Sequence, residues 1–228
     1  MFTGIITEIG TIRSVARVAD ALSITVTAPK TAPRLRPGDS VAVSGVCLTD
    51  ERAEGNAFVA SVMAETAAKT TLGRFRPGAR VNLELPLTLN DFVGGHLVAG
   101  HVDGVGTVTA REERGNSVLL TILAPQSVQP YLAPRGSVAV DGVSLTIAET
   151  KCGTAAPGCG PAFTVSLVRH TLDNTTLGAL RPGAEVNLEG DLLARYLERL
   201  LESRAGEPGE PVDLDQLTLE KLGEEGYL

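Results

Sequence analysis

The sequence predicts an all-β fold in which two homologous barrels follow each other along the chain and an α-helix comes after them. Three observations predict it. The chain carries one long pattern twice, and each copy contains short Val- and Thr-rich segments separated by Gly and Pro. After the second copy, the apolar residues change to helical spacing.

The repeat is clearest between residues 58–84 and 163–189. Both stretches contain T-T-L-G, R-P-G-A and V-N-L-E in the same register, and FTGIITEIGTI and VAVSGVCLT match VAGHVDGVGTV and VAVDGVSLT. Matched residues are 97 apart at the threonines (146 − 49) and 105 apart at the phenylalanines (163 − 58), so the second copy has an eight-residue insertion (105 − 97). A period of this length predicts two domains, residues 1–96 and 97–190.

Each element of the first copy has its own signal. Apolar segments between Gly and Pro breaks predict strands at 3–18 (with a bend), 23–28, 40–49, 58–63 and 80–85. Residues 51–56 are predicted as a turn and 66–72 as a short helix that closes one end. Such strands form sandwiches or barrels, and we favour a barrel because closure removes the edge strands.

Residues 191–204, DLLARYLERLLESR, have an apolar stripe at helical spacing with Asp191 placed to cap it. The stripe could lie on the chain's own barrel or meet copies of itself, and we favour self-association. The acidic tail, 205–228, is assigned no function.

Composition excludes several classes of function. A net charge of −7 argues against nucleic-acid binding, and no apolar segment is long enough to span a bilayer. Three Cys and no visible signal peptide favour a cytoplasmic protein. Cys152 and Cys159 flank the insertion and could form a disulfide or half a metal site, but a loop with two thiols is favoured.

Polar and reactive side chains recur at matched positions of the two copies. Cys47 and Thr49 are two residues apart on one strand and therefore share a face, as do Ser144 and Thr146. The two sets are Thr3, Cys47, Thr49, Ser61, Glu65 and Thr66 in the first copy, and His101, Ser144, Thr146, Ser166, His170 and Thr171 in the second. They predict one cavity per barrel for a ligand with many hydroxyls or a uracil-like edge.

Substitutions within the repeat indicate two similar sites with divided roles. Cys47 aligns with Ser144, and Ile5 aligns with His101. A small buried apolar side chain is an equally good interpretation of Cys47. His96 and His101 are five apart, on opposite faces of a strand, so no metal site is predicted.

Four motifs together resemble the riboflavin synthase alpha-chain family. They are MFTGI at the start, SGVCLT at 44–49, GGHLVAGHVD at 94–103 and DGVSLT at 141–146. The resemblance implies two six-stranded Greek-key barrels and a homotrimer held by the C-terminal helices. It also implies dismutation of two 6,7-dimethyl-8-ribityllumazine molecules to riboflavin and 5-amino-6-(ribitylamino)uracil, by four-carbon transfer, without metal or cofactor. The active site would lie between the first barrel of one subunit and the second barrel of another.

The resemblance also assigns residue roles. His101 is the candidate base or proton shuttle, while Cys47 and Ser144 are candidates for addition or hydrogen bonding near the reacting carbons. Thr49 and Thr146 would hold the ligand, and Phe2 would close over it. The candidate catalytic residues are His101, Cys47, Ser144, Thr146 and Phe2. The candidate substrate contacts are Thr3, Gly4, Ile5, Ile6, Leu48, Thr49, Ser61, Val62, Met63, Ala64, Glu65, Thr66, Gly100, Val102, Arg135, Leu145, Ser166, Leu167, Val168, Arg169, His170 and Thr171.

Two positions depart from the family pattern. Arg135 stands where Lys is usual, and Asp50 stands where an apolar residue is usual. The competing hypothesis is a non-catalytic lumazine- or flavin-binding protein. In such proteins, which resemble this family, the site of the second barrel is degraded. Ser144, Thr146 and His101 favour the enzyme. The resemblance also raises lumazine synthase as a partner, which the sequence leaves open.

Overall fold

A computed structural model describes residues 1–151 and 162–205, and within them the chain forms two closed six-stranded antiparallel barrels. The first contains β1 (Glu8–Val18), β2 (Ala21–Thr27), β3 (Ser40–Val43), β4 (Val46–Glu54), β5 (Ala57–Val62) and β6 (Arg80–Glu84). The second contains β7 (Gly104–Arg114), β8 (Ser117–Leu123), β9 (Ser137–Val140), β10 (Val143–Lys151), β11 (Ala162–Val168) and β12 (Glu185–Gly190). The predicted boundary at residues 96 and 97 falls in the connection between them.

Both barrels have the same Greek-key topology. The strand order is β1-β2-β5-β4-β3-β6 in the first barrel, and β7-β8-β11-β10-β9-β12 gives the same order in the second. Three hairpin-connected strands, β3 to β5, lie beside β2, which joins them through a long connection. Register shifts after Ile12 and Asp50 recur after Val108 and Ile147, so the bends that close each barrel are duplicated as well.

Apolar side chains fill the interior of each barrel. Phe58 and Phe163 are matched, fully buried residues of the two cores. Short helices α1 (Ala64–Lys69) and α2 (Arg169–Asn174) each follow the fifth strand of their barrel, and a 3₁₀ turn follows each helix.

Four expectations about elements are wrong in detail. Residues 51–56 are not a turn, because β4 runs on to Glu54 and the turn is confined to residues 55 and 56. The first strand begins at Glu8 rather than residue 3, and the segment 40–49 is a hairpin that turns at Ser44 and Gly45. The short helix begins two residues earlier than predicted, at Ala64.

The two barrels meet through these hairpin turns. Ser44 and Asp141 occupy matched left-handed positions, with φ of 45° and 46°. A Cβ on Gly45 would lie 2.6 Å from the backbone nitrogen of Gly142, so the turns touch backbone to backbone. Phe2 and Val98, the matched starts of the two copies, also pair with each other through backbone hydrogen bonds of 2.7 and 3.0 Å. The duplication therefore produces a pseudo-twofold arrangement.

The third helix, α3 (Leu192–Ala205), belongs mainly to a separate structural unit that starts at residue 193. Five side chains of its predicted stripe are 59–67% exposed: Leu193, Tyr196, Leu197, Leu200 and Leu201. No helix in the described ranges is both long and apolar enough to cross a membrane. Cys152, Cys159 and the acidic tail beyond residue 205 lie outside the described residues.

Candidate functional site

Cys47 and Thr49 share a face of β4, as predicted, but that face is the outer one. Val46 and Leu48 point into the barrel, whereas Cys47 is half-buried and Thr49 is exposed. Ser144 and Thr146 have the same arrangement on β10, with Leu145 and Ile147 inside. Because apolar side chains fill the interiors, neither barrel has room for a ligand inside it. The candidate sites are on the outer surface.

A cavity of about 200 Å³ lies beside Cys47. The end of the connection between the barrels forms one wall, because the backbone N–H of Cys47 donates to the carbonyl of Gly100 over 2.8 Å. A Cβ at Gly100 would lie 2.6 Å from the Cβ of Cys47, and its φ is +82°, so this close approach requires glycine. The lining is Val46, Cys47, Glu65, Thr66, Lys69, Thr70, Gly100, His101 and Val102. We call this set the first half-site.

The second barrel repeats this contact with the N-terminal segment. The backbone N–H of Ser144 donates to the carbonyl of Gly4 over 2.8 Å, and a Cβ at Gly4 would lie 2.5 Å from the Cβ of Ser144. Residues 4–6 thus lie against the second barrel, as residues 100–102 lie against the first. We call Ser144, residues 4–6 and the three α2 residues that match Glu65, Thr66 and Lys69 the second half-site; these three are His170, Thr171 and Asn174. Each half-site combines a strand from one copy with the leading segment of the other.

Two buried glutamates hold these leading segments in place. The carboxylate of Glu84 accepts hydrogen bonds from the N–H groups of Thr3 (2.6 Å) and Gly4 (3.0 Å). Glu189 accepts the equivalent bonds from Ala99 (2.6 Å) and Gly100 (3.0 Å). Burial raises the pKa of Glu84, although its hydrogen bonds oppose the shift. Glu84 and Glu189 fix the backbone of both half-sites.

His96, which is not predicted to bind a metal, is the hydrogen-bond partner of Ser144. Its Nδ1 lies 2.7 Å from the Ser144 Oγ, and its Nε2 is buried with no hydrogen-bond partner. Burial lowers the pKa of His96, which favours the neutral imidazole, and nearby Asp191 opposes this shift. A neutral imidazole with Nδ1 unprotonated can accept the Ser144 proton. The sequence carried no signal for this pair, since 48 residues separate its members.

The half-sites differ in charge. In the first, Lys69 Nζ lies 2.6 Å from a Glu65 carboxylate oxygen, and His101 is exposed beside them. The matched pair in the second is His170 and Asn174, joined by a bond from the Asn174 amide to the His170 carbonyl over 2.9 Å. Alignment of the copies could have identified Lys69 and Asn174, which are one helical turn from Glu65 and His170.

Other candidates occupy varied environments. Leu48, Val62, Leu145 and Leu167 point into the cores, so an outer ligand would meet only their backbone. Met63 and Val168 are 66% and 57% exposed, and Arg135 is exposed with a left-handed φ of 67°. Those that are half-buried are Ile6, Ser61, Thr66, Val102 and Thr171, and those that are exposed are Ala64, Glu65, Ser166, Arg169 and His170.

Two N-terminal candidates differ from expectation. Phe2 is fully buried and packs with Ala42, Val98 and Ala139 between the copies, so it supports the first half-site from beneath and does not close over it. Thr3 is buried, and its hydroxyl donates to Glu84 rather than to a ligand.

Comparison with known proteins agrees with this geometry. The lumazine binding domain family matches residues 3–86 and 99–191, one match for each copy. Riboflavin synthase from Mycobacterium bovis is 42% identical over 209 residues, which are 89% of this chain and 99% of that protein. Riboflavin synthase from Actinobacillus pleuropneumoniae is 37% identical over 218 residues, or 95% of this chain and 98% of that one.

A solved structure shares the fold. LumP complexed with 6,7-dimethyl-8-(1'-D-ribityl) lumazine aligns with a TM-score of 0.72 and 25% identity, covering 83% of this chain and 98% of LumP. The identity is lower than that to the synthases. The duplicated domain and the near-full-length matches show that this chain belongs to the riboflavin synthase family.

Proposed function

We propose that this chain catalyses the dismutation of 6,7-dimethyl-8-ribityllumazine to riboflavin and 5-amino-6-(ribitylamino)uracil. The observation that carries the proposal is the reciprocal construction of the half-sites, in which Cys47 faces Gly100 and Ser144 faces Gly4. A reaction between two identical molecules needs two similar sites, and the duplicated barrel supplies them. Enzymatic function agrees with the synthase relatives.

Orientation would supply much of the rate. Holding two substrates face to face turns a bimolecular step into an effectively unimolecular one. The glutamates that fix residues 3–4 and 99–100 keep both half-sites rigid before substrate binds. A preorganised site loses little free energy to ordering when the substrates arrive.

Different polar side chains would carry out the separate proton transfers of the reaction. The 7-methyl group of one substrate must lose a proton, and His101 is the exposed imidazole beside the first half-site. Ser144 would add to, or direct a water to, the second substrate, with His96 taking its proton. Cys47 would provide a hydrogen bond or a nucleophile to the first. Thr49 and Thr146 lie outward on the same strands and would bind polar groups of the ligands.

The scheme requires assembly of several subunits. Two substrates must meet across a boundary, and we infer that the first half-site of one subunit meets the second half-site of a neighbour in a homotrimer. The exposed stripe on α3 supports self-association. We also propose a cytoplasmic location, because the chain has few cysteines. Lumazine synthase is proposed as a further partner.

The test is to mix purified protein with 6,7-dimethyl-8-ribityllumazine and follow riboflavin by absorbance, with no added metal or cofactor. We expect one riboflavin for every two substrates consumed. A matched reaction with the Ser144→Ala variant should be slow while the variant still binds substrate. Tight binding with an unchanged spectrum over hours would overturn the proposal and favour a lumazine-binding protein, the alternative suggested by the LumP fold.

A further inference from the structure

We propose that the second barrel carries a binding site for a phosphate-class anion, formed by Arg111 and Arg169. Both guanidinium-bearing side chains line one cavity of about 460 Å³ at the end of the barrel. Arg169 is also a candidate substrate contact, but Ser144, residues 4–6, His170 and Asn174 do not line this cavity. The other lining residues are Glu113, Gly115, Asn116, Ser117, Val118 and Leu172.

Arg111 is set into the wall of the cavity. Its side chain is only 16% exposed, its Nη1 lies 2.8 Å from a carboxylate oxygen of Glu113, and its Nε is buried with no hydrogen-bond partner. The buried Nε–H has almost no accessible surface, so an anion in the cavity would bind the other N–H groups of the Arg111 guanidinium. Glu113 is 78% exposed, so it can leave Arg111 with little loss.

Arg169 adds a second cation to the lining of the cavity. Its Nε pairs with Asp173 over 2.9 Å, but its side chain is 80% exposed and free to turn. Asp173 does not line the cavity, so the lining carries two guanidinium groups and one carboxylate. Planar guanidinium groups match the geometry of phosphate oxygens.

Comparison of the two copies indicates that these cations are specific to the second barrel. The residue matched to Arg111 is Val15, because Val15 pairs with Ile24 as Arg111 pairs with Leu120. The residue matched to Arg169 is Ala64. Arg111 takes the place of an apolar residue packed on the first core, a position where a cation is costly without a partner.

The experiment titrates inorganic phosphate at constant ionic strength by calorimetry and by the NMR resonance of the Arg111 Nε–H. We expect saturable binding that weakens about tenfold or more in both Arg111→Val and Arg169→Ala, which install the residues of the first copy. Arg17→Ala, which removes an exposed cation at the matched end of the first barrel, should bind phosphate as the parent does.

Arg169→Ala keeps the test valid if Arg111→Val fails to fold, because Arg169 lies at the surface. No saturable binding, or an equal loss in Arg17→Ala, would overturn the site. Flavin mononucleotide and riboflavin then distinguish the source of the anion. If the protein binds flavin mononucleotide more tightly than riboflavin and Arg169→Ala removes the difference, the phosphate belongs to a ligand bound in a half-site. If the protein binds both flavins equally and still binds inorganic phosphate, the site takes a free anion. The anion site does not depend on the proposed activity.

Discussion

Asn82 of the first barrel and Asn187 of the second make reciprocal hydrogen bonds across the contact between the barrels. We call this contact the joint. The Asn82 amide nitrogen donates to the carbonyl of Asp141 over 2.9 Å, and the Asn187 amide nitrogen donates to the carbonyl of Ser44 over 2.8 Å. Their oxygens accept from Thr176 and Thr71, each over 2.8 Å. Since each asparagine is 1% exposed, these bonds are made away from water.

Replacing either asparagine by alanine should destabilise the protein. Asn82→Ala and Asn187→Ala each leave two backbone groups without their partner, at about 1–3 kcal/mol for each group that is buried. We expect the two costs to be similar because the geometry is the same. Urea unfolding measures the change, with exposed Asn90→Ala as the control. Equal stability of the asparagine variants and the parent would contradict the joint's role.

Asp141 makes this joint sensitive to pH. Burial raises its pKa to about 7, although the N–H of Asn187 donates to the carboxylate. The folded state therefore binds one more proton than the unfolded state over the range from about pH 4 to 7. Stability should fall as pH rises through that window, by up to about 1.4 kcal/mol per pH unit.

The test for Asp141 is thermal unfolding measured from pH 5 to 8. Asp141→Asn should flatten the dependence, since an amide stays neutral, can accept the same N–H and tolerates the left-handed backbone. Asp50 and Glu84 also have raised pKa values from burial and shift stability in the same direction, so some slope should remain. Exposed Asp20→Asn is the control, and an undiminished slope in Asp141→Asn would assign the effect elsewhere.

The fold could be predicted because the sequence states it twice. Matched motifs such as V-N-L-E fix strand positions, and period-2 alternation correctly placed Cys47 and Thr49 on one face. Residues 51–56 were mistaken for a turn because the outer end of β4 is polar.

The site's supporting contacts could not be predicted from local pattern. His96 meets Ser144 across 48 residues, and Glu84 binds Thr3 across 81. Such pairs depend on how the leading segments cross between the barrels. Only the folded chain brings these groups within hydrogen-bonding distance.

Asp50 is another buried acid, and the matched residue of the second copy indicates which side chain could replace it. It is 1% exposed, its Oδ2 has no hydrogen-bond partner, and the matched residue in the other barrel is the core residue Ile147. Burial raises its pKa, so ionisation at neutral pH opposes folding. Asp50→Ile should stabilise the protein at pH 7 by about 1–3 kcal/mol.

The gain from Asp50→Ile should shrink as pH falls, because the protonated carboxyl is less costly to bury. Urea unfolding at pH 5 and pH 7 measures it. Asp50→Asn separates charge from polarity, and it should recover only part of the gain. A loss of stability in both variants would show that the bond from the Arg52 N–H to Asp50 (3.1 Å) outweighs the burial penalty.

The Ser144–His96 pair makes a kinetic prediction that separates chemistry from binding. Ser144→Ala and His96→Gln should each lower kcat by about a hundredfold or more, because a general base loses its partner. Substrate affinity should change much less, and the double variant should be no slower than the worse single one, since the two groups act as a unit. Steady-state kinetics with a separate lumazine titration measures both effects, with exposed Ser14→Ala as the control. Multiplicative losses in the double variant would show that the two groups act independently, which would contradict proton transfer across the 2.7 Å contact.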